Sequence, residues 1–350
     1  MAKTVLSQFK LNRRAAIAGG LAVAGATMLP NAVAHAQREG LGSANELLAR
    51  VQKFLATLDS EKRKAASFPW GGAEWRGWNY FGATGYIKPG LRLEQMTAAQ
   101  KEAAWELLGA VWSPAGVEKG KNVMLLQGVL ASLGDAPDRR SPERFSFSVF
   151  GTPAAKGAWG FRLEGHHLTQ SVAVRDGRIV SLTPVSFSSR PNRVESGPHK
   201  GLYTLEHEDK LARKLFADLT PALQAKARVS DSPIYNILSS AGRERANAAK
   251  AGLPAASLSS AQRDLLWQLV EIYAVRPVPA RLADVQRARI GAGDREALHF
   301  AWHGPNTPDK AFGYRLIGDS FVIEFASVDP EAQHIHTIYN DLGNVLGTSA

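Results

Sequence analysis

The chain has 350 residues, 45% of them hydrophobic, enough for one large or two ordinary domains with real cores. It contains no cysteine, which excludes disulfides, thiolate zinc sites, cysteine nucleophiles and cysteine-ligated iron–sulfur clusters; a metal here must be held by histidine, carboxylate or backbone. The formal net charge of +10 is interspersed with acids, as in Glu61-Lys62-Arg63-Lys64, and no nucleic-acid-binding motif accompanies it, so no nucleic-acid partner is expected.

Residues 1–36 carry Lys3, Lys10, Arg13 and Arg14 and no acid, then an apolar run from Ala15 to Leu29, then Ala34-His35-Ala36. This order of basic region, apolar region and A-x-A site predicts a signal peptide cleaved after Ala36. The adjacent Arg13-Arg14 predicts the twin-arginine type, although Ala16 stands where a Phe is common. The apolar run is short and weakly hydrophobic for a membrane span. The expectation is therefore a periplasmic or secreted protein that meets the export machinery and keeps no stable membrane anchor after cleavage.

Residues 37–90 form an N-terminal helix and an aromatic loop. A helix is predicted over 43–66, opened by a Ser43…Glu46 capping box, with Leu47, Leu48, Val51, Phe54, Leu55 and Leu58 on one face. The segment Phe68 to Phe81 then gathers six aromatic residues. Trp75 and Trp78 would either stack on a ring-bearing, carbohydrate-like ligand or fold over the core.

A passage then occurs twice. FGTPAAKGAWGFRLEG at 150–165 aligns without a gap with HGPNTPDKAFGYRLIG at 303–318. Upstream, Met96–Leu108 aligns with Leu258–Val270, matching Gln100 with Gln262, Trp105 with Trp267, and Thr97 with Ser259 at helix N-caps. Each copy continues into four alternating segments, near 143–151, 158–165, 167–175 and 178–184, and near 296–304, 311–318, 320–328 and 333–340. The predicted fold class is α+β: an internal duplication of a helices-plus-four-stranded antiparallel meander unit, pseudo-twofold, with repeats at 91–187 and 253–343. A helical connector over 188–252, with helices near Asp209–Ala217 and Pro221–Val229, joins them. A tail of 344–350 follows.

The copies differ where the chemistry-bearing residues sit. The first has Glu164-Gly165-His166-His167 at a strand–turn–strand junction; the second alone has His334-Ile335-His336. On a strand His334 and His336 share a side, and the neighbouring strand carries Glu324. Two imidazoles and a carboxylate on adjacent strands resemble a facial site for one divalent metal, Zn, Fe or Mn, with open positions. His334, His336, Glu324 and His167 are the candidate ligands, and His166 and Glu164 the candidate proton-moving groups. The other reading is that these histidines are solvated or ion-paired without a metal. A short His167–His334 distance, under about 7 Å, would fit shared ligation of one ion. Arg162 and Arg315 occupy the same place in both copies, as anion clamps for a small-molecule ligand or as structural partners of carboxylates.

The set Phe150-Gly151-Thr152-Pro153, Trp159 to His167, Leu182-Thr183-Pro184, Gly197 to Gly201 and His334-Ile335-His336-Thr337 with Asn340-Asp341 resembles the DUF3500 family of uncharacterised proteins over roughly Phe54 to Gly343. Phe161 departs from a frequent Trp, and Asn344-Val345 from the usual tail. The resemblance implies no reaction. The residues alone support two expectations: a metal-dependent, hydrolase-like enzyme, or a metal-free periplasmic binding protein for a small molecule or carbohydrate.

Overall fold

The computed structural model describes residues 40–81, 88–245 and 247–347; the expected signal peptide at 1–36 lies outside them, as does the end of the tail. The fold is α+β, a mostly antiparallel sheet with helices packed on it. In chain order the strands are β1 Ser67–Phe68, β2 Leu91–Arg92, β3 Ser146–Phe150, β4 Ala158–Gly165, β5 Leu168–Arg175, β6 Arg178–Ser181, β7 Val185–Phe187, β8 Arg228–Ser230, β9 Leu253–Pro254, β10 His299–His303, β11 Gly313–Ile317, β12 Phe321–Ser327 and β13 Ile335–Asp341. They form one sheet whose main path runs β1-β3-β4-β5-β7-β13-β12-β11-β10-β8.

The expected meanders are present with close boundaries. The fourth segment of the first meander, expected near 178–184, is β6 alone, and β7 is an additional strand just beyond it; both pair with β5, at opposite ends of it. β7 also meets β13, through Val185 and Tyr339, and a Ser189–Ile335 bridge continues the contact. This junction joins the two meanders into a single sheet.

Helix starts follow their caps. Thr97 and Ser259 each accept a bond from the backbone N–H three residues on, and Gln100 and Gln262 return one, closing a capping box on the helices Ala98–Gly109 and Ser260–Ala274. The predicted helix over 43–66 is two helices. Asn45–Ala56 ends at Thr57, and Asp59 caps Ser60–Ala66 by accepting from Lys62 N–H, so Asp59 acts as a start signal inside the expected run. Ser43 does not form the expected box; it lies in a bridge to Arg178. In the connector, the helices Glu206–Ala217 and Pro221–Ala227 appear as expected, followed by the unexpected edge strand β8, parallel to β10.

The sheet is buried on both faces, so its polar residues are enclosed rather than open to water. One face packs on the helices through the main core. The other is covered by a second cluster built from Trp75, Trp78 and Tyr80 of the aromatic segment, Ile237 of the connector and Leu346 near the C-terminus. Among the described residues no helix is long and apolar enough to cross a membrane.

Candidate metal centre

Strand polarity explains why two distant histidines meet. β7 is antiparallel to both β5 and β13, so β5 and β13 begin at the same end of the sheet, one strand apart. His167 immediately precedes β5 and His334 immediately precedes β13. Their Nε2 atoms are 2.9 Å apart across the end of β7. Backbones two strands apart are separated by about 10 Å, so both imidazoles lean inward over the strand between them.

His166 and His167 are the whole loop of a two-residue hairpin closed by the Gly165–Leu168 pair. Both lie in the turn, rather than one on each face of a strand. His167 adopts φ +67°, left-handed backbone that histidine enters more readily than β-branched residues. The turn is fixed from outside: His167 N–H donates to the Tyr80 carbonyl at 2.8 Å, and Ser188 N–H donates to the His167 carbonyl at 2.8 Å. At Gly165 a Cβ would fall 2.1 Å from the Phe145 ring, so only glycine permits this close seat. The His166 and His167 rings are 3.6 Å apart, centroid to centroid.

The His334 backbone is fixed by Asp329, whose Oδ1 accepts its main-chain N–H at 3.0 Å, and by Val328, whose N–H donates to the His334 carbonyl at 2.7 Å. His336 lies in β13, its ring centroid 4.7 Å from that of His334 and 5.2 Å from that of His167. One ring nitrogen each of His166, His167 and His334 lie within 4.8 Å of one another, a group that could hold a metal ion. Two nitrogens bonded to one ion at about 2.1 Å stand roughly 3.0–3.4 Å apart at octahedral or tetrahedral angles. The 2.9 Å separation sits at the lower edge of that range, and is also the length of an N–H···N hydrogen bond. His167 is 1% exposed, and its Nδ1 has no hydrogen-bond partner among the described residues.

The electrostatics keep the imidazoles neutral, as ligation requires. Burial lowers His166 to about 2, aided by the Arg140 guanidinium, His334, His336 and Arg190. His167 is held well below the ordinary value by burial and by His166, His336 and His334. Burial, then Arg190, lowers His334 to about 4, and burial, then His334, lowers His336 to about 3.

Behind the rings stand residues that sequence reasoning did not single out. Asn236 Oδ1 accepts from Ile237 N–H at 2.8 Å, which identifies it as the oxygen; it also meets Tyr80 Oη at 2.9 Å and His336 Nδ1 at 3.0 Å. An acceptor at that position places the His336 proton on Nδ1 and leaves the Nε2 lone pair bare. His166 Nδ1 lies 2.6 Å from Arg140 Nη1 and 2.8 Å from Gln127 Oε1. Gln127 carried a readable signal, being a buried amide among Val123, Leu126 and Leu130 in the helix Pro114–Ser132. Asn236 and Arg140 sit in irregular chain and carried none.

The other expected residues are placed elsewhere. Glu324 is fully buried, and both its oxygens are taken: Oε1 by Arg315 Nε at 2.8 Å and Ser239 Oγ at 2.9 Å, Oε2 by the N–H groups of Leu238 at 2.6 Å and Ser239 at 3.1 Å. It is outside the three-histidine group and acts as the anchor of the connector. Glu164 likewise anchors the aromatic segment, accepting from Asn79 N–H at 2.5 Å and pairing with Lys88 at 3.3 Å. Arg162, 1% exposed, donates to Ser171 Oγ and to the carbonyls of Glu74 and Trp75. Arg315 binds Glu324 and the Asn247 carbonyl. Neither guanidinium is presented to solvent as a clamp. Trp75 and Trp78 are core residues, their indole N–H groups donating to the Leu346 carbonyl and to Glu244.

A family model described as a protein of unknown function, DUF3500, matches residues 42–345. No curated protein and no solved structure matches the chain.

Proposed function

From the premise that this chain belongs to the DUF3500 family, whose description assigns no function, we propose that it is an exported metal-dependent enzyme of hydrolytic type. The observation that carries the reading is the convergence of His166, His167 and His334, within 4.8 Å, from two separate turns. These three imidazoles would be the protein ligands, and His336, beside them with Nδ1 tied to Asn236, the fourth ligand or the proton-moving group. A divalent ion on a three-histidine shell retains an open position and supplies a water activated near neutral pH. Glu324 and Glu164 hold the scaffold around the site.

The two meanders are, in this reading, copies of one ancestral unit. Its support is the repeated sequence and the matched pairings, with β1 and β8 parallel to the first strands β3 and β10, and β2 and β9 antiparallel to them. Export rests on the N-terminal sequence alone. The rival, a metal-free binding protein that grips its ligand through Arg162, Arg315, Trp75 and Trp78, gains nothing from these side chains, which are buried among partners of their own.

The test is elemental analysis of untagged, full-chain protein with thermal melting in the presence and absence of a chelator. The reading expects about one divalent ion per chain and a lower melting temperature on chelation. Substoichiometric metal and an unchanged melting temperature would contradict it.

A further inference from the structure

The charged groups nearest the histidines are asymmetric in what they leave unused. Arg140 places Nη1 2.6 Å from His166 Nδ1 and Nη2 3.2 Å from Asp135 Oδ2, while its buried Nε has no hydrogen-bond partner among the described residues. Arg190 places Nη1 2.9 Å from the same Asp135 oxygen and is partly exposed. Two guanidiniums thus share one carboxylate oxygen at the edge of the site. The other nearby acid, Asp329, spends its Oδ1 on the N–H groups of Gln333, at 2.8 Å, and His334, at 3.0 Å.

Neutral imidazoles contribute no charge to balance a divalent ion, and both carboxylates of the expected site are bound elsewhere, Glu324 by Arg315 and Glu164 by Lys88. An ion on the three histidines therefore keeps its two positive charges, beside two guanidiniums that have one shared counter-ion. Guanidinium donors in such a pair match the paired oxygens of a carboxylate or phosphate group. An anion would take the exposed side of Arg190, and the Arg140 donors once that guanidinium leaves His166, while an oxygen reached the ion. We propose that Arg140 and Arg190 form an anion-recognising edge on the histidine site, and that the substrate presents a carboxylate or phosphate group to it. This deepens the metal-site reading and rests on it for the ion beside the edge.

The Arg140 contact has a second consequence. A neutral imidazole nitrogen cannot both accept from Arg140 and donate to Gln127, so the two compete for His166 Nδ1. Whichever ring nitrogen faces the ion, the Arg140 bond opposes ligation, either by occupying that nitrogen or by forcing the proton onto the other. Ion binding releases Arg140, and the released guanidinium is then available to the anion.

The experiment titrates inorganic phosphate and, separately, acetate onto the untagged full chain, zinc-free and after equilibration with one equivalent of Zn²⁺ whose uptake is measured first. Arg140→Gln and Arg190→Gln are compared with Arg139→Gln, which removes the same charge from an exposed neighbour paired with Asp138. Phosphate, acetate or both should bind the zinc-loaded chain, with affinity roughly 10- to 100-fold weaker in each of the two edge variants and unchanged in Arg139→Gln. The stronger of the two anions identifies the group recognised. Binding of neither anion, or equal binding in all three variants, overturns the proposal while measured zinc uptake leaves the metal site standing. If zinc is not taken up, the metal reading fails and the zinc-free titration judges the edge by the same criterion. Arg190 is partly exposed, so its variant retains the fold if Arg140→Gln does not.

Discussion

His167 and His334, 167 residues apart in sequence, place their Nε2 atoms 2.9 Å apart over the end of a strand to which neither belongs. The contact follows from the sheet order: a chain that leaves the β4–β5 turn and a chain that enters β13 start side by side because β7 runs opposite to both.

Removal of either ring should therefore abolish a shared site. His167→Ala and His334→Ala should each weaken Zn²⁺ affinity by more than the roughly 10- to 100-fold typical of losing an outer-shell partner, measured by chromophoric chelator competition. His334 is only partly buried, so His334→Ala should leave the secondary structure intact by circular dichroism. Wild-type affinity in both variants would separate the histidines from any metal.

Glu324 should behave as an anchor. Glu324→Gln breaks a buried ion pair with Arg315 and should cost about 3–5 kcal/mol in denaturant unfolding. Zinc stoichiometry should remain one per folded chain. A destabilisation under about 1 kcal/mol together with loss of zinc would instead make Glu324 a ligand.

Acid should unfold the metal-free chain early. In the unfolded chain the histidines titrate near 6.5, whereas in the folded chain burial depresses His334 to about 4, His336 to about 3 and His166 to about 2. A depressed folded value means the unfolded state binds more protons between the two, so stability is complete above about pH 6.5 and is lost as pH falls toward 4 and below. The slope can reach about 1.4 kcal/mol per pH unit per histidine. Denaturant midpoints measured from pH 7 to 4 should fall steadily, and less steeply in His336→Ala. A flat profile would show that the rings are solvated.

Asn236 should set the tautomer of His336. With ¹⁵N-labelled histidine, wild-type protein should show His336 protonated at Nδ1, and Asn236→Leu should shift it toward a mixture while Tyr80 loses its acceptor. An unchanged His336 signature in Asn236→Leu would assign the orientation to β13 alone.

What could be read in the sequence and what could not divide along a physical line. Period-two alternation located the meander strands within a few residues, and Thr97 and Ser259 marked their helices because capping is a local interaction. Asp59 is an equally local signal, but the apolar spacing continues through it and masks the break. Glu324 has the sequence signature of a ligand because alternation assigns a face but does not say what covers that face. Here Leu238 and Ser239 do, from a connector with no periodic pattern. Pro184 marks the break between β6 and β7 locally, but the pairing of β7 with β13 that brings His167 to His334 is long-range and cannot be read there. His166-His167 and His334 were visible as residues that differ between the copies, and Asn236 and Arg140 were not, since a single polar residue in irregular chain looks like any solvated loop.

The most direct measurement is X-ray absorption at the zinc edge of untagged full-chain protein carrying one equivalent of Zn²⁺. At least three imidazole nitrogens are expected at about 2.0–2.1 Å, with the histidine scattering reduced by one in His334→Ala. An oxygen-dominated shell, or a spectrum identical in wild type and His334→Ala, would contradict it.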